Sequence, residues 1–569
     1  AEAWASIATT LPEDDSIDVA SFRKDLIKRL SIDTPWRLSQ AQADFESLIA
    51  GLPLPTIEKV VSSEDPIRTK TMRDPKVANA SSPTTGEVVD WKLDDQAVDR
   101  GLRFWGRTGD SLDQPGIMLY QTLGCGGGTI DFDLDGWSDL YLVAAGGRPP
   151  NQDSDSDQLF RNLQGQFSPI AALAQTGNQG FGQGVAVGDV NEDGFPDLFV
   201  LNYGPNRLYI NNGDGTFRDA SDQLPEASAD EWSTSGAIAD LDQDGLADMV
   251  VVNYCATLGP VTKTCPMKDS DVMRSCTPML FAAAPDRFLR GGDNGMFVDA
   301  TESWGAQTES PGRGLGIVVG DLDGQPGNEV FIANDMTNNH YWSRLTGNAE
   351  AGSEPSLSLS ESAMLRGVGG DDRGIPQGSM GIATGDLDQD GDIDLYVTNF
   401  DKEYNTLHTQ SSSGIWQDHT GRAGLVNDTT PLVAFGTEAI DIDNSGQLEL
   451  VVTNGHVDLF SRGDEKAMYD QPMQIFRRAT DGGYRPIAVA SLGDYFNGNH
   501  VGRGLWTLDA NRDGRVDFVV THQTEPTALL INQCRDSGNW IRLNLRGTDS
   551  SRDAVGSTVR VETSGGGHT

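Results

Sequence analysis

The sequence predicts an all-β fold, a seven-bladed β-propeller with calcium-binding loops, on three observations. A nine-residue acidic motif, D-x-[DN]-x-D-G-x-x-D, occurs seven times, five in full and two in degenerate form. The copies begin at residues 131, 189, 240, 321, 386, 441 and 509. That period is near the length of one four-stranded sheet plus its loops, the mark of a repeat architecture. The third observation is the twelfth position counted from each motif start: Leu142, Val200, Val251, Ile332, Val397, Val452 and Val520. An EF-hand requires Glu there and a helix on each side. An apolar column inside strand-like runs excludes helix pairs and leaves blades.

Residues 1–99 lack the motif and read as a small, partly helical N-terminal extension and linker. Ile17 to Leu30 and Leu38 to Leu52 have helix-like apolar spacing, and Pro53 and Pro55 end the second segment. Lys70 to Val88 is polar, with Pro75, Pro83 and Gly86, and reads as a linker. Residues 100–535 carry the repeats. The second unit shows the internal order: Gly184–Asp189 as a small-residue first strand, the acidic loop, then strands at Leu198–Asn202, Arg207–Asn211 and Thr216–Ala220. Asn212-Gly213-Asp214-Gly215 is the hairpin signal between the last two. Small residues in the first strand suit the crowded inner edge of a blade. Residues 536–569 read as a truncated C-terminal β segment.

Acidic or amide side chains at alternate positions, closed by a glycine turn, supply the six to eight hard oxygens that calcium takes. The first loop offers Asp131, Asp133, Asp135 and Asp139, with the carbonyl of Trp137. The second offers Asp189, Asn191, Asp193 and Asp197, with the carbonyl of Phe195. The third offers Asp240, Asp242, Asp244 and Asp248, with Leu246. The fifth offers Asp386, Asp388, Asp390 and Asp394, with Asp392, and the seventh Asp509, Asn511, Asp513 and Asp517, with Arg515. The fourth is degenerate: Asp321, Asp323 and Glu329 remain, with Gln325 at the fifth position. The sixth is degenerate too, with Asp441, Asp443, Ser445 and Glu449. Five well-formed calcium sites are expected, and up to seven. The ion is expected to act as a clamp that neutralises crowded acids between the first two strands of a blade.

The formal net charge is −42. Seven divalent ions would still leave the surface at about −28. Such a surface excludes nucleic-acid binding and disfavours anionic membranes, and no apolar run is long enough for a membrane span. Five cysteines include three in one insertion, Cys255, Cys265 and Cys276. A local disulfide, Cys265–Cys276 with Cys255–Cys276 as the alternative, fits an oxidising compartment. Cys125 reads as a small buried thiol, and Cys534 as free or paired with it. Weak calcium sites point the same way, to a secreted, periplasmic or cell-surface protein. The start at Ala1-Glu2-Ala3-Trp4 is compatible with a processed N-terminus or an arbitrary one.

Phe181-Gly182 and Phe435-Gly436 stand ahead of their acidic loops where a Phe-Gly pair is found in the FG-GAP/VCBS repeats of integrin α-subunit propellers, which these units resemble. Asn539-Trp540 through Arg552-Asp553 and Gly556 is similar to the start of the ASPIC/UnbV domain that follows such propellers in the cartilage acidic protein family. Val330 to Asp335, Val452 to Val457 with His456, and Gly502-Arg503-Gly504 fit the same resemblance. It implies a non-enzymatic propeller in interaction or adhesion, with a protein or glycan partner. The oligomeric state is not specified.

No H-E-x-x-H, G-x-S-x-G, P-loop or C-x-x-C motif is present. The histidines (His340, His408, His419, His456, His500, His522 and His568) are scattered singly and read as packing or surface residues. Arg462-Gly463-Asp464 reads as a chance tripeptide, and Asn79-Ala80-Ser81 and Asn427-Asp428-Thr429 fit the glycosylation sequon. Two alternatives belong to other classes: a polysaccharide-active lyase or hydrolase on a calcium-loop propeller, and an accessory subunit of a surface assembly.

Overall fold

A computed structural model describes residues 87–559, apart from 88, 113, 227–229, 268–270, 293–294, 346–356, 460, 463–464, 467, 536 and 549. The expected N-terminal helices, most of the linker, the Asn79 sequon, His568, Gly463-Asp464 and the chain beyond 559 lie outside the described residues.

Seven four-stranded antiparallel sheets follow one another along the chain. The second blade is typical: Phe181–Gly188, Asp197–Tyr203, Arg207–Asn211 and Phe217–Asp219, each paired with the next. Its acidic loop joins the first two strands, as expected. Second strands are buried along their whole length, so they read as unbroken apolar runs. First strands touch one another in ring order, with Gly502–Leu508 of the last blade against Gly127–Ile130 of the first. Glycines make that approach possible. A Cβ on Gly182 would sit 2.6 Å from the carbonyl oxygen of Ala144, and one on Gly436 would sit 2.5 Å from the Leu505 nitrogen, each in the adjoining blade. The glycine of each Phe-Gly pair is therefore a packing requirement between blades.

The ring closes differently from the expected boundary at residue 100. The last blade takes its fourth strand from the N-terminal side: Leu93–Asp95 pairs with Ala528–Asn532 in the register Leu93↔Asn532. Leu93-Asp94-Asp95 has no apolar alternation to announce a strand. Its side chains are fixed by a distant partner, with Leu93 fully buried among Ile475, Phe518 and Leu530.

The insertion of the third blade folds over the axis on the face away from the acidic loops. Cys265 and Cys276 are bonded, and Cys125, Cys255 and Cys534 are buried thiols, so neither alternative pairing forms. Leu119, Phe181, Trp232, Tyr254, Cys276, Met380 and Phe435 pack into one cluster there, drawn from four blades and two connecting segments. Trp232 is fully buried and stacks on Tyr203 at 4.4 Å. Each such side chain contributes roughly 1.5–3 kcal/mol by leaving water.

Candidate metal sites on the acidic-loop face

Every loop is shaped by two residues with positive φ. In six loops these are the fourth position (Leu134, Glu192, Gln243, Gln389, Asn444, Arg512) and the glycine at the sixth (136, 194, 245, 391, 446, 514). In the fourth loop, Gly324 takes the fourth position, and Pro326 shifts the second left-handed residue to Gly327 at the seventh. The two reversals bring side chains one, three and nine close together in the loops at 131, 240, 321 and 386.

The hydrogen bonds give those carboxylates distinct jobs. In the second loop the Gly194 N–H donates to Asp189 Oδ2 (2.7 Å) and the Asp193 N–H to Asp189 Oδ1 and Asn191 Oδ1 (both 3.0 Å). The Phe195 N–H donates to Asp193 Oδ1 at 3.0 Å. Asp197 accepts from Val190 N–H (3.0 Å) within the loop and from Asn211 N–H (2.7 Å) on the third strand. The ninth acid repeats this double bond at Asp139, Asp248, Asp394 and Asp517. Glu329 and Glu449 accept the loop N–H of Leu322 and Ile442 in the same way. The ninth position is thus a buried rivet between the loop and its blade.

The structure brings the acids at positions one, three and nine together in four of the loops. Oxygens of Asp131, Asp133 and Asp139 lie within 4.8 Å of one another, as do those of Asp240, Asp242 and Asp248, and of Asp386, Asp388 and Asp394. The degenerate fourth loop also clusters, through Asp321, Asp323 and Glu329. Burial and the neighbouring acids push Asp139, Asp189 and Asp248 up to about 8, and Asp394 and Asp517 to about 7. Gathering these groups costs free energy that a cation would recover. One buried oxygen each of Asp131, Asp321, Asp388 and Asp443 has no hydrogen-bond partner. An all-oxygen set with unmatched acceptors fits a hard divalent cation.

Sequence reasoning missed the arginines. Arg161 lies 2.6 Å from Asp133, and Arg290 lies 2.6 Å from Asp242 and 2.8 Å from Asp244. Arg477 lies 3.1 Å from Asp443, and Arg366 lies 3.1 Å from Asp323. Arg161, Arg290 and Arg477 are each the penultimate residue of a third strand, a column that aligning the repeats by strand would have exposed. Among the described residues, no Arg or Lys pairs with the carboxylates of the 386–394 loop. In the seventh loop Arg515 folds its own guanidinium onto Asp513.

The C-terminal segment crosses this same face. The Gly538 N–H donates to the Asp443 carbonyl (2.9 Å), and Trp540 lies against Gly514. Arg542 reaches the Gly136 carbonyl at 3.4 Å. Arg552 stands 3.5 Å from Asp189, its N–H donates to Glu192 (2.8 Å), and Asp553 accepts the Asp189 N–H at 2.7 Å. The strap therefore touches the loops of four blades in turn.

On the opposite face a cavity of about 140 Å³ opens beside the axial plug, lined by Leu123, Tyr254, Met380, Phe400 and Phe435 with Arg274 and Asp335. Burial lifts Asp335 to about 6 although the Tyr254 hydroxyl donates to it. Arg503, from the Gly502-Arg503-Gly504 run, is buried on this side. It donates to the carbonyls of Thr122 (2.8 Å) and Gly502 (2.7 Å) and lies 4.1 Å over Phe435. His456 accepts the Asp458 N–H at 3.1 Å, and burial lowers it to about 4. Both residues hold loops together.

The family model for FG-GAP-like repeats matches residues 131–200 and 189–251. Cartilage acidic protein 1 of Homo sapiens is 33% identical over 103 residues, which is 18% of this chain and 15% of that protein. The Xenopus tropicalis protein of the same name is 28% identical over 177 residues, 30% of this chain and 25% of its own length. The alignments thus span a quarter or less of these relatives. Among solved structures, an Agrocybe aegerita lectin that recognises terminal N-acetylglucosamine aligns over 72% of this chain and 88% of its own. Its identity is 12% and its TM-score 0.35, which carries no functional argument. No helix among the described residues is long and apolar enough to cross a membrane.

Proposed function

We propose that this protein is a non-enzymatic, extracytoplasmic propeller whose acidic loops take calcium and whose surface binds a protein or glycan partner. The observation that carries the metal part is the repeated gathering of buried and half-buried carboxylates, several with an unmatched oxygen, in the loops at 131, 240, 321 and 386. Asp131, Asp133 and Asp139, and their equivalents, would hold the ion, with the fifth-position acid and the seventh-position carbonyl completing the set. Bound calcium would neutralise groups that burial otherwise penalises and would stiffen the link between the first two strands.

The strap over the acidic-loop face directs partner binding to the other face. There the disulfide-tied insertion and the cavity beside Tyr254 and Phe435 form a fixed relief. The relatives named cartilage acidic protein support the reading without extending it to adhesion. A panel of acidic and neutral polysaccharides and extracellular proteins, presented with calcium and with chelator, tests it. Retention of a panel member without new reducing ends is expected. New reducing ends released from a polysaccharide would replace this reading with an enzymatic one.

A further inference from the structure

Two histidines and a glutamate meet on the seventh blade, away from the acidic loops. His522 ends the second strand, Asp517–His522, and is buried. Glu525 lies in the following turn. His500 comes from the segment before the first strand, where it exchanges backbone hydrogen bonds with Gln471 of the sixth blade (2.7 and 2.9 Å). One ligand atom from each of His500, His522 and Glu525 lies within 4.8 Å of the other two.

The ring nitrogens are sorted in an unusual way. His500 Nε2–H donates to the Tyr495 carbonyl at 3.0 Å, and His522 Nδ1–H to the Pro526 carbonyl at 2.8 Å. A backbone carbonyl on the outer nitrogen is how proteins fix the tautomer and ring plane of a metal-binding histidine. The inner nitrogens face the shared space. His500 Nδ1 is 2.7 Å from Glu525 Oε1, and His522 Nε2 is 2.8 Å from the Tyr495 hydroxyl. The Tyr495 ring stacks on His500 at 4.0 Å with 6° between planes, which holds that imidazole still.

We propose that His500 Nδ1, His522 Nε2 and Glu525 bind a borderline divalent cation of the zinc type. Two imidazoles and one carboxylate are a donor set for zinc, with bonds of about 2.0–2.2 Å. Calcium, which takes oxygen ligands, does not compete for it. Donors around a tetrahedral zinc stand about 3.4 Å apart, so the widest pair, within 4.8 Å, closes by about 1.4 Å at most, while His500 Nδ1 and Glu525 Oε1, at 2.7 Å, move apart by about 0.7 Å. The cation replaces the proton that His500 Nδ1 shares with Glu525, and that proton leaves to solvent. Three protein ligands leave a fourth position open, bordered by the Tyr495 hydroxyl. The site is independent of the calcium loops.

The test is zinc titration of the full chain in millimolar calcium, followed by calorimetry, with cobalt(II) as a spectroscopic probe. One zinc per chain is expected, and cobalt should give visible ligand-field bands of low-symmetry N/O coordination. His522→Gln and Glu525→Gln should each weaken zinc binding by about tenfold or more. Tyr495→Phe, which removes the hydroxyl competing for His522 Nε2, should bind zinc at least as well as the parent. Glu525 is partly exposed, so Glu525→Gln carries the test if His522→Gln fails to fold. No zinc uptake in calcium, or uptake that both His522→Gln and Glu525→Gln leave unchanged, overturns the proposal.

Discussion

At the residue scale, the ninth-position acid and the fifth do different work. Asp197 holds two buried backbone N–H groups, whereas Asp193 is half-exposed and caps one. Asp197→Ala strands both donors and should cost about 2–4 kcal/mol in chemical denaturation, with or without calcium. Asp193→Ala should cost under about 1 kcal/mol in chelator, and more when calcium is present. Comparing the two variants in both buffers checks this. The arginines make a second expectation. Arg290 is a tethered cation on Asp242 and Asp244, so Arg290→Met should raise calcium affinity of that loop about two- to fivefold, the worth of an exposed ion pair. The acids were legible because the motif packs them into nine residues. The arginines were not, since each acts across a strand whose register the sequence does not state.

Glu438 supplies a pH test at the same scale. It lies on the inner strand of the sixth blade, and burial alone pushes it up to about 7, above its unfolded value near 4.3. The folded chain therefore holds this proton more tightly than the unfolded one. Stability from this group is full below about pH 4 and falls as pH rises toward 7, where the loss levels off. Denaturation of Glu438→Gln should show a smaller fall between pH 4.5 and 7 than the parent.

At the element scale, strand boundaries within the second unit agree with expectation to within a few residues, because apolar runs and the Asn212–Gly215 turn mark them. Leu93–Asp95 and the C-terminal strap were not legible as parts of the propeller. Leu93–Asp95 carries no periodic pattern of its own, whereas the strap alternates at Ile541, Leu543 and Leu545 like the expected β segment, yet those side chains are exposed and no strand forms there among the described residues. The third-blade insertion gave its disulfide away through cysteine clustering, but not its place over the axis. Replacing Cys265 and Cys276 together by Ser should lower unfolding free energy by about 2–3 kcal/mol, as loss of a short disulfide loop does. Denaturant midpoints of the oxidised parent and the double variant measure it.

At the scale of the whole molecule, the count of seven motifs foretold seven blades, and the inner strands close the ring. The closure depends on three residues from one end of the repeat region clasping the last blade. The proposed calcium follows from the gathered carboxylates, whose burial a bound cation would offset. Its most direct test is calorimetric calcium titration of the chelator-stripped chain, paired with thermal melting in calcium and in chelator. Uptake of five to seven ions per chain, one per competent loop, and a higher Tm in calcium are expected. No uptake, with the same melting curve in both buffers, would contradict the proposed calcium binding.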